Sequence, residues 1–463
     1  PVSKTTNTRY EQAVDRLMSL ADFERGTHSP GHGTFHLQRM TLLLGRLGNP
    51  HLAVPTVHVA GTKGKGSTAA MITAILTAQG YKAGLYTSPA LHSVTERIRV
   101  GLEPIARNDF AALVERIWPD AERVADSGDH GDVTFFEFIT AMAFLHFAQI
   151  GTDFQVIEVG LGGRLDATNV VSPVVSVITP IMLDHVAILG NTVELIAAEK
   201  AGIIKQGVPV VTAPQVPAAQ DVFIRVAAER NARLVRVGDD VQWQERESNL
   251  DGQSFDISGS LDVYKIQTSL IGGFQQENAA TAVAAVETLA ESGVVVSARG
   301  IVDGLAAVKW PGRLHVLSQQ GAMVVADGAH NPDSMHRLVS EVGRHFEFDR
   351  LYLVFGATAG HSEQGMLMAV AGLAPIVIPV QSRHPKAAAV NSIVPIAREI
   401  GLHVAQGPIA VGGAVRWAIG EAGERDLVLA TGSLSVAAEV IEEIEGVAFE
   451  TYRTINMPQP EAV

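Results

Sequence analysis

The stretch HVAGTKGKGSTAAM, residues 58–71, holds the densest set of residue types able to manage phosphate chemistry. An apolar segment enters a glycine-rich turn and leaves it as a helix-forming run. Gly61, Gly64 and Gly66 let the backbone around Thr62 bend towards a phosphate, Lys65 supplies a cation, and Ser67 or Thr68 can face a metal ion. The helix N-terminus that follows favours an anion. The general nucleoside-triphosphate motif is not met, because Val59 stands where it requires glycine and Gly66 where it requires a hydroxyl residue. A glycine-rich strand-to-helix turn with no ligand is the plain alternative.

Three more residues could bring charge to the same place. Glu158 interrupts the apolar run FQVIEVG, and an ionised carboxylate is costly to bury there without a cation or donors, which makes it a metal-ligand candidate. It could equally end a strand and face water. His185 follows VVSVITPIMLD and so belongs at the carboxyl edge of a sheet, where α/β proteins bind ligands, although a lone histidine is ordinarily structural or solvated. Lys200 lies inside the apolar run LIAAEKAGIIK, where a lysine ordinarily carries its ammonium out to solvent.

Positioning these groups requires a sheet with helices on its faces, and the chain carries that pattern. VPTVHVAG, FQVIEVG and VVSVITP read as strands and STAAMITAILTAQG as a helix, an alternation that predicts a largely parallel sheet. Met71, Ile72, Ile75 and Leu76 recur at the spacing that buries one stripe of that helix. A second α/β series begins near Arg313 with AMVVADG, RLYLVFG, IVIPVQS and DLVLATGS. A length of 463 residues exceeds what one core usually serves, so two α/β domains are predicted, residues 1–300 and 312–463. A hinge at 301–311 joins them, ending in Lys309, Trp310 and Pro311, with proline stopping the preceding helix.

Composition narrows the function further. The absence of cysteine excludes disulfides, thiolate metal sites and cysteine nucleophiles. A formal charge of −14 repels nucleic acid and anionic membrane surfaces at long range. The longest uncharged stretches are broken by Pro173, Pro180, Pro375 and Pro379, which suits short strands and turns and predicts no membrane span. Residues 1–20 read as a tail followed by an amphipathic helix, without the apolar centre of a signal peptide, and residues 457–463 as a disordered tail. A cytoplasmic enzyme is the expectation.

The variant G-T-x-G-K-G-S-T resembles the ATP loop of folylpolyglutamate synthases, dihydrofolate synthases and the related muramyl-peptide ligases. The likeness continues through SPALHSVTERIRV, VTFFEFITAMAF, VGLGGRLDATNV, GGFQQENAATA, WPGR, DGAHNP and TGSLS, nearly the whole chain. The resemblance implies an α/β fold with a P-loop ATP-binding domain on a mainly parallel sheet and a smaller Rossmann-like domain after it, in a monomer. It implies ATP and two Mg²⁺ sites, with K⁺ as a further cation. Ser67, Ser88 in YTSP and Glu158 would hold the first Mg²⁺. Glu158, His185 and a carbamylated Lys200 would hold the second, and carbamylation needs an unprotonated amine, which burial favours. Lys65, Lys200 and His330 are implied as catalytic. Asn278 and Arg313 are implied as ATP contacts, Asp327 as a ribose contact and His330 as a phosphate contact. Taken singly, Asn278 reads as a helix cap, Arg313 as a surface ion pair and DGAHNP as a turn.

The implied reaction activates a folate-type carboxylate as an acyl phosphate and joins it to the amino group of glutamate. GGRLDATN resembles members that also accept dihydropteroate. On that likeness Asp166 pairs with the pterin ring, Ala167 leaves room for it, Phe136 stacks on it and Thr134 in TFFEF stands beside it. A capping Asp166 and a core Phe136 remain the plain alternatives. Arg383, His384 and Ser433 are candidates for the carboxylates of glutamate, with surface ion pairing an equal reading of Arg383. Two departures stand out: Phe274 occupies the usual histidine position in GGFQ, and FGATAGHSEQGM lacks the usual acidic–lysine pair. The competing readings are a dedicated folylpolyglutamate synthase without dihydropteroate activity, a muramyl-peptide-type ligase and, in a different class, a P-loop regulatory module. The expected partners are the small-molecule substrates alone.

Overall fold

The runs TVHVA, FQVIE and VSVI form strands whose residues are all buried, as a sheet covered by helices on both faces requires. In the computed structural model, which describes residues 4–22, 36–128, 130–318 and 321–450, they lie at the centre of an eight-stranded sheet. Its strands are β1 (Thr56–Ala60), β2 (Ala83–Tyr86), β3 (Ile98–Val100), β4 (Glu103–Pro104), β5 (Phe154–Glu158), β6 (Val175–Ile178), β7 (Val210–Thr212) and β8 (Leu234–Arg236), in the order β4-β3-β2-β5-β1-β6-β7-β8. All neighbours from β2 to β8 in that order pair parallel, while β3 and β4 fold back antiparallel at one edge. The carboxyl ends of β1, β5 and β6 are therefore adjacent, and the phosphate loop, Glu158 and the segment leading to His185 leave the sheet side by side.

The helix Lys65–Ala78 is buried on every side from Ser67 to Leu76, not only along the predicted stripe. Its alanines carry no bulk, so a second layer of helices, Gly273–Glu291 and Ala298–Ala307, closes over the face turned away from the sheet. The approach is close: a Cβ on Gly304 would lie 2.5 Å from Ile75 Cα. Ile301, Leu305 and Val308 join the same core. This corrects the expected hinge. Residues 301–307 are helical and belong to the first domain, and regular structure is absent only from Val308 to Leu314, with Trp310 packed against the first core. The antiparallel sheet β9 (Gln242–Asn249), β10 (Gly252–Ser258) and β11 (Val263–Thr268) was not foreseen. Its inner residues Phe255, Ile257, Tyr264 and Ile266 cover the helical layer, and their strict alternation with polar neighbours is the signal that announces it.

The second domain carries β12 (His315–Ser318), β13 (Met323–Ala326), β14 (Leu351–Phe355), β15 (Ile376–Pro379), β16 (His403–Val404) and β17 (Leu427–Thr431), in the order β12-β13-β17-β14-β15-β16. Only β12 runs antiparallel. The four predicted strands of this half are β13, β14, β15 and β17, so the mixed α/β fold of both halves agrees with expectation. The N-terminal helix Lys4–Met18 buries Tyr10, Ala13, Val14 and Leu17 against the first domain, while residues 1–3 and the expected tail 457–463 lie outside the described residues. Among the described residues no helix is long and apolar enough to cross a membrane.

Because the Gly304 contact is backbone against backbone, Gly304→Ala forces the two helices apart. A stability loss of about 1–3 kcal/mol is expected, read as a lower urea midpoint with an unchanged slope.

Candidate active site

The phosphate loop owes its shape to two glycines. Gly61 has φ +149° and a Cβ there would fall 1.8 Å from Thr179 Oγ1, while Gly64 has φ +84° and a Cβ there would fall 2.3 Å from Asn278 Oδ1. A side chain at either position would collide with β6 or with the helix Gly273–Glu291. The loop is also tied down: the Thr62 and Lys63 amides donate to Pro180 O at 3.0 and 3.3 Å, and the Thr62 hydroxyl donates to Met182 O at 3.2 Å. Thr62 thus holds the loop by its side chain and leaves phosphate contact to the backbone and to the first turn of the helix at Lys65. Thr68 Oγ1 donates to Asn278 Oδ1 at 3.4 Å, and Asn278 Nδ2 to Gln275 Oε1 at 3.0 Å, so Asn278 sits within its helix and buttresses the loop; it does not cap.

Behind the loop the charges gather. Lys65 Nζ stands 3.9 Å from Glu158 Oε1, and Glu158 Oε2 accepts the Ser88 amide at 3.0 Å. Lys63, not singled out from the sequence, is paired with Asp184 at 3.2 Å and reaches across to His330 Nε2 at 2.8 Å. His330 Nδ1 lies 2.9 Å from the Gly328 carbonyl, which can only accept. Nδ1 therefore carries the proton, and Nε2 accepts from Lys63. Burial, reinforced by the charge of Lys63, pushes His330 down to about 4, so the imidazole is neutral at pH 7. Burial also brings Lys63 down to about 8 against the upward pull of Asp184. Asp184 itself is held below the usual carboxylate range: burial alone would raise it, but the positive charge of Lys63 prevails. The signal for Asp184 was its place beside His185, and for Lys63 its place two residues before Lys65.

Lys200 does not carry its ammonium to solvent. It is 5% exposed, and burial followed by repulsion from Lys65 pushes it down to about 7. Its helix, Val193–Ala201, is clamped by the GGR turn, where a Cβ on Gly163 would lie 2.9 Å from Lys200 Cα. Among the described residues no three His, Asp or Glu side chains converge on one point as a metal site would require. The hydroxyls of Ser67 and Ser88 and the Glu158 carboxylate border the same cleft, and such hard oxygen donors fit Mg²⁺. His185 borders the same cleft from a more exposed position. It begins a short helix with φ +49° and its side chain is half-exposed, while its neighbour Asp184 turns inwards. Glu158, His185 and Lys200 all border this one cleft.

The remaining candidates line two walls of one cleft of about 1450 Å³. On the first-domain wall the Phe136 ring packs on Gly160, and Thr134 forms a capping box with Glu137. Asp166 caps the turn Ala167–Val170: Oδ1 accepts from the Thr168 amide at 3.0 Å and hydroxyl at 2.5 Å, and Oδ2 accepts the Leu161 amide at 2.9 Å. Its carboxyl is raised by burial against those donors. On the opposite wall Asp327 accepts the Leu314 and Ala329 amides, both at 2.8 Å, and so fixes the turn that presents His330. A Cβ on Gly328 would come 3.0 Å from the Arg313 guanidinium, which lies under the same turn. Ser433 caps the helix Leu434–Glu445. His384 accepts the Lys386 amide at 3.2 Å through Nδ1. Arg383 is committed to Glu439 and Glu442, the ion-pair arrangement and not an open carboxylate receptor.

Comparison with known proteins agrees with this two-domain geometry. The Mur ligase middle domain matches residues 59–286, and the Mur ligase glutamate ligase domain matches residues 312–434. A dihydrofolate synthase/folylpolyglutamate synthase of Bacillus subtilis is 37% identical over 413 residues, covering 88% of this chain and 95% of the relative. The folylpolyglutamate synthase of Mycobacterium tuberculosis, solved with ADP and AMPPCP, superposes with a TM-score of 0.86 at 30% identity, covering 96% of this chain and 100% of that one. A complex of FPGS with AMPPCP and folate superposes with a TM-score of 0.81 at 31% identity, covering 94% and 98%.

The burial of Lys200 has a measurable cost. Its folded value of about 7 lies below the ordinary 10.5, so between those limits the unfolded chain binds more protons and stability rises with pH. Lys200→Met removes the buried amine. The variant is expected to be more stable than the parent at about pH 6, with a gap that narrows by roughly 1.4 kcal/mol per unit as pH rises towards about 10. Urea titrations across that range check this, and a gap independent of pH contradicts it.

Proposed function

We propose, for a chain that belongs to the folylpolyglutamate and dihydrofolate synthase branch of the Mur ligase family, that this ATP-dependent ligase adds glutamate to folates through an acyl phosphate. The observation that carries the reading is the Lys63–His330 contact of 2.8 Å, which joins the phosphate loop of one domain to the second-domain turn across a single cleft. A nucleotide laid along the loop would meet Asn278, Arg313 and Asp327 beyond it.

Bound there, Mg²⁺ held by Ser67, Ser88 and Glu158 would supply charge neutralisation on the phosphates. The chain's own part is to position and to shield. Lys63 and Lys65 place two ammonium groups against the transferring phosphoryl group while a carboxylate oxygen of the folate attacks the γ-phosphorus and the bond to ADP breaks. The amine of glutamate, having lost its proton, then attacks the acyl carbon, and the carbon–oxygen bond to phosphate breaks. Neutral His330, its Nε2 accepting from Lys63, holds that ammonium aimed into the cleft. An acyl phosphate is lost to water, so cover from both domains protects it.

Phe136, Ala167 and Asp166 support a pterin site on the first-domain wall, and with it activity on dihydropteroate as well as tetrahydrofolate. One observation favours the narrower reading. Both oxygens of Asp166 already accept hydrogen bonds from Leu161 and Thr168, which leaves fewer lone pairs for a ring. Incubation with ATP, Mg²⁺ and glutamate, with either dihydropteroate or tetrahydrofolate, separates the two readings by product mass. Gain of one glutamate on each is expected; gain on tetrahydrofolate alone removes the pterin role of Asp166, and gain on neither removes the folate reading. Lys200→Ala is expected to lose nearly all activity and to regain part of it with short carboxylic acids, and full activity without rescue would deny Lys200 a carboxylate role.

A further inference from the structure

The segment after the helix Leu434–Glu445 crosses the rim of the cleft and is held by the other domain. The Glu450 amide donates to His92 O at 3.1 Å. One oxygen of the Glu450 side chain accepts from Ser93 Oγ at 2.8 Å and from the Tyr10 hydroxyl, and the other accepts the Val94 amide at 2.9 Å. Ser93, Tyr10 and Val94, which donate to this carboxylate, belong to the first domain. Beside it, the Phe449 ring lies 3.6 Å from the Arg383 guanidinium, and the ring is 46% exposed. Arg383 needs no further anion, since Glu439 and Glu442 already answer its charge; what it offers is a flat cationic face.

The rim therefore holds an aromatic ring, an amide and a glutamate carboxylate in that order. The same order occurs at the acyl–glutamate end of a folate, with a shorter spacer between ring and amide. Neither the stacked face nor the carboxylate grip is specific to a protein segment. We propose that Arg383, Tyr10, Ser93 and the Val94 amide form a binding site for the aryl–amide–glutamate end of a folate chain, and that Phe449–Glu450 fill it as an internal competitor. The proposal rests on the folate reading above. It assigns Arg383 to the aromatic ring and not to a carboxylate of glutamate, and it places the carboxylate receptor on the N-terminal helix and the loop after Ser88.

An occupant that fills a site nine-tenths of the time weakens the apparent affinity for an outside ligand by about tenfold. The test is calorimetric binding of p-aminobenzoyl-glutamate to the full chain without ATP, so that turnover plays no part. Phe449→Ala combined with Glu450→Ala is expected to bind the probe roughly tenfold more tightly than the parent. Glu450→Gln alone should give part of that gain. Adding Tyr10→Phe to the double variant should cancel much of it, and p-aminobenzoate, which lacks the glutamate, should gain far less. Equal affinity in parent and double variant overturns the proposal, as does a gain that p-aminobenzoate shares and Tyr10→Phe leaves untouched. A chain that extends folates yet shows no tightening sinks this inference alone, whereas tightening in a chain that extends no folate sustains the site and sinks the activity.

Discussion

Lys63 makes the contact on which the arrangement turns. Its ammonium lies between the Asp184 carboxylate of its own domain and the neutral His330 of the other, so the charge is answered on one side and a hydrogen bond is made on the other. Groups of this kind are costly to bury singly, and their desolvation is offset only when all three are in place. The requirement brings the carboxyl ends of β1 and β6 against the turn that follows β13, across one cleft. Asp327 fixes that turn through two backbone amides, and Thr62 fixes the loop opposite, so neither partner of the contact hangs on a loose segment.

The same cleft concentrates positive charge where a nucleotide's phosphates would lie. Lys63 pairs with Asp184 and Lys65 lies near Glu158, while Lys200 feels Asp184 and Asp166, and burial still drives two of the three lysines well below their ordinary values. A site that holds three such amines in a low-dielectric setting is arranged for an anion that arrives later. The cost falls on the fold, which supplies large cores in compensation: helix Lys65–Ala78 is buried between sheet and helices, and the close approach at Gly304 is possible because no side chain intervenes.

Much of the fold was legible because it rests on local pattern. Predominantly apolar runs announced β1, β5, β6, β13, β14, β15 and β17, and glycines at positions needing positive φ announced the phosphate loop. The hinge was drawn from Ile301 on the strength of a proline at 311, whereas the helix continues to Ala307 and Val308 and Trp310 still pack on the first core. Arg383 and Ser433 were named as candidates for the carboxylates of glutamate, but their contacts were not legible: one is paired with Glu439 and Glu442, the other caps a helix.

The sequence by itself determined the two α/β halves, the loop that cradles phosphate and the family to which they belong, because strand burial, glycine dihedrals and helix starts depend on neighbours close in the chain. Only the tertiary structure decided which charged groups meet. Lys63 and His330 are separated by 267 positions, and Glu450 reaches Ser93 over 357. Nor does any local pattern reveal that Lys200 is buried or that Asp184 is more deeply placed than His185 beside it. Those outcomes depend on desolvation and on the charges that surround each group, and both quantities exist only once distant parts of the chain have packed together.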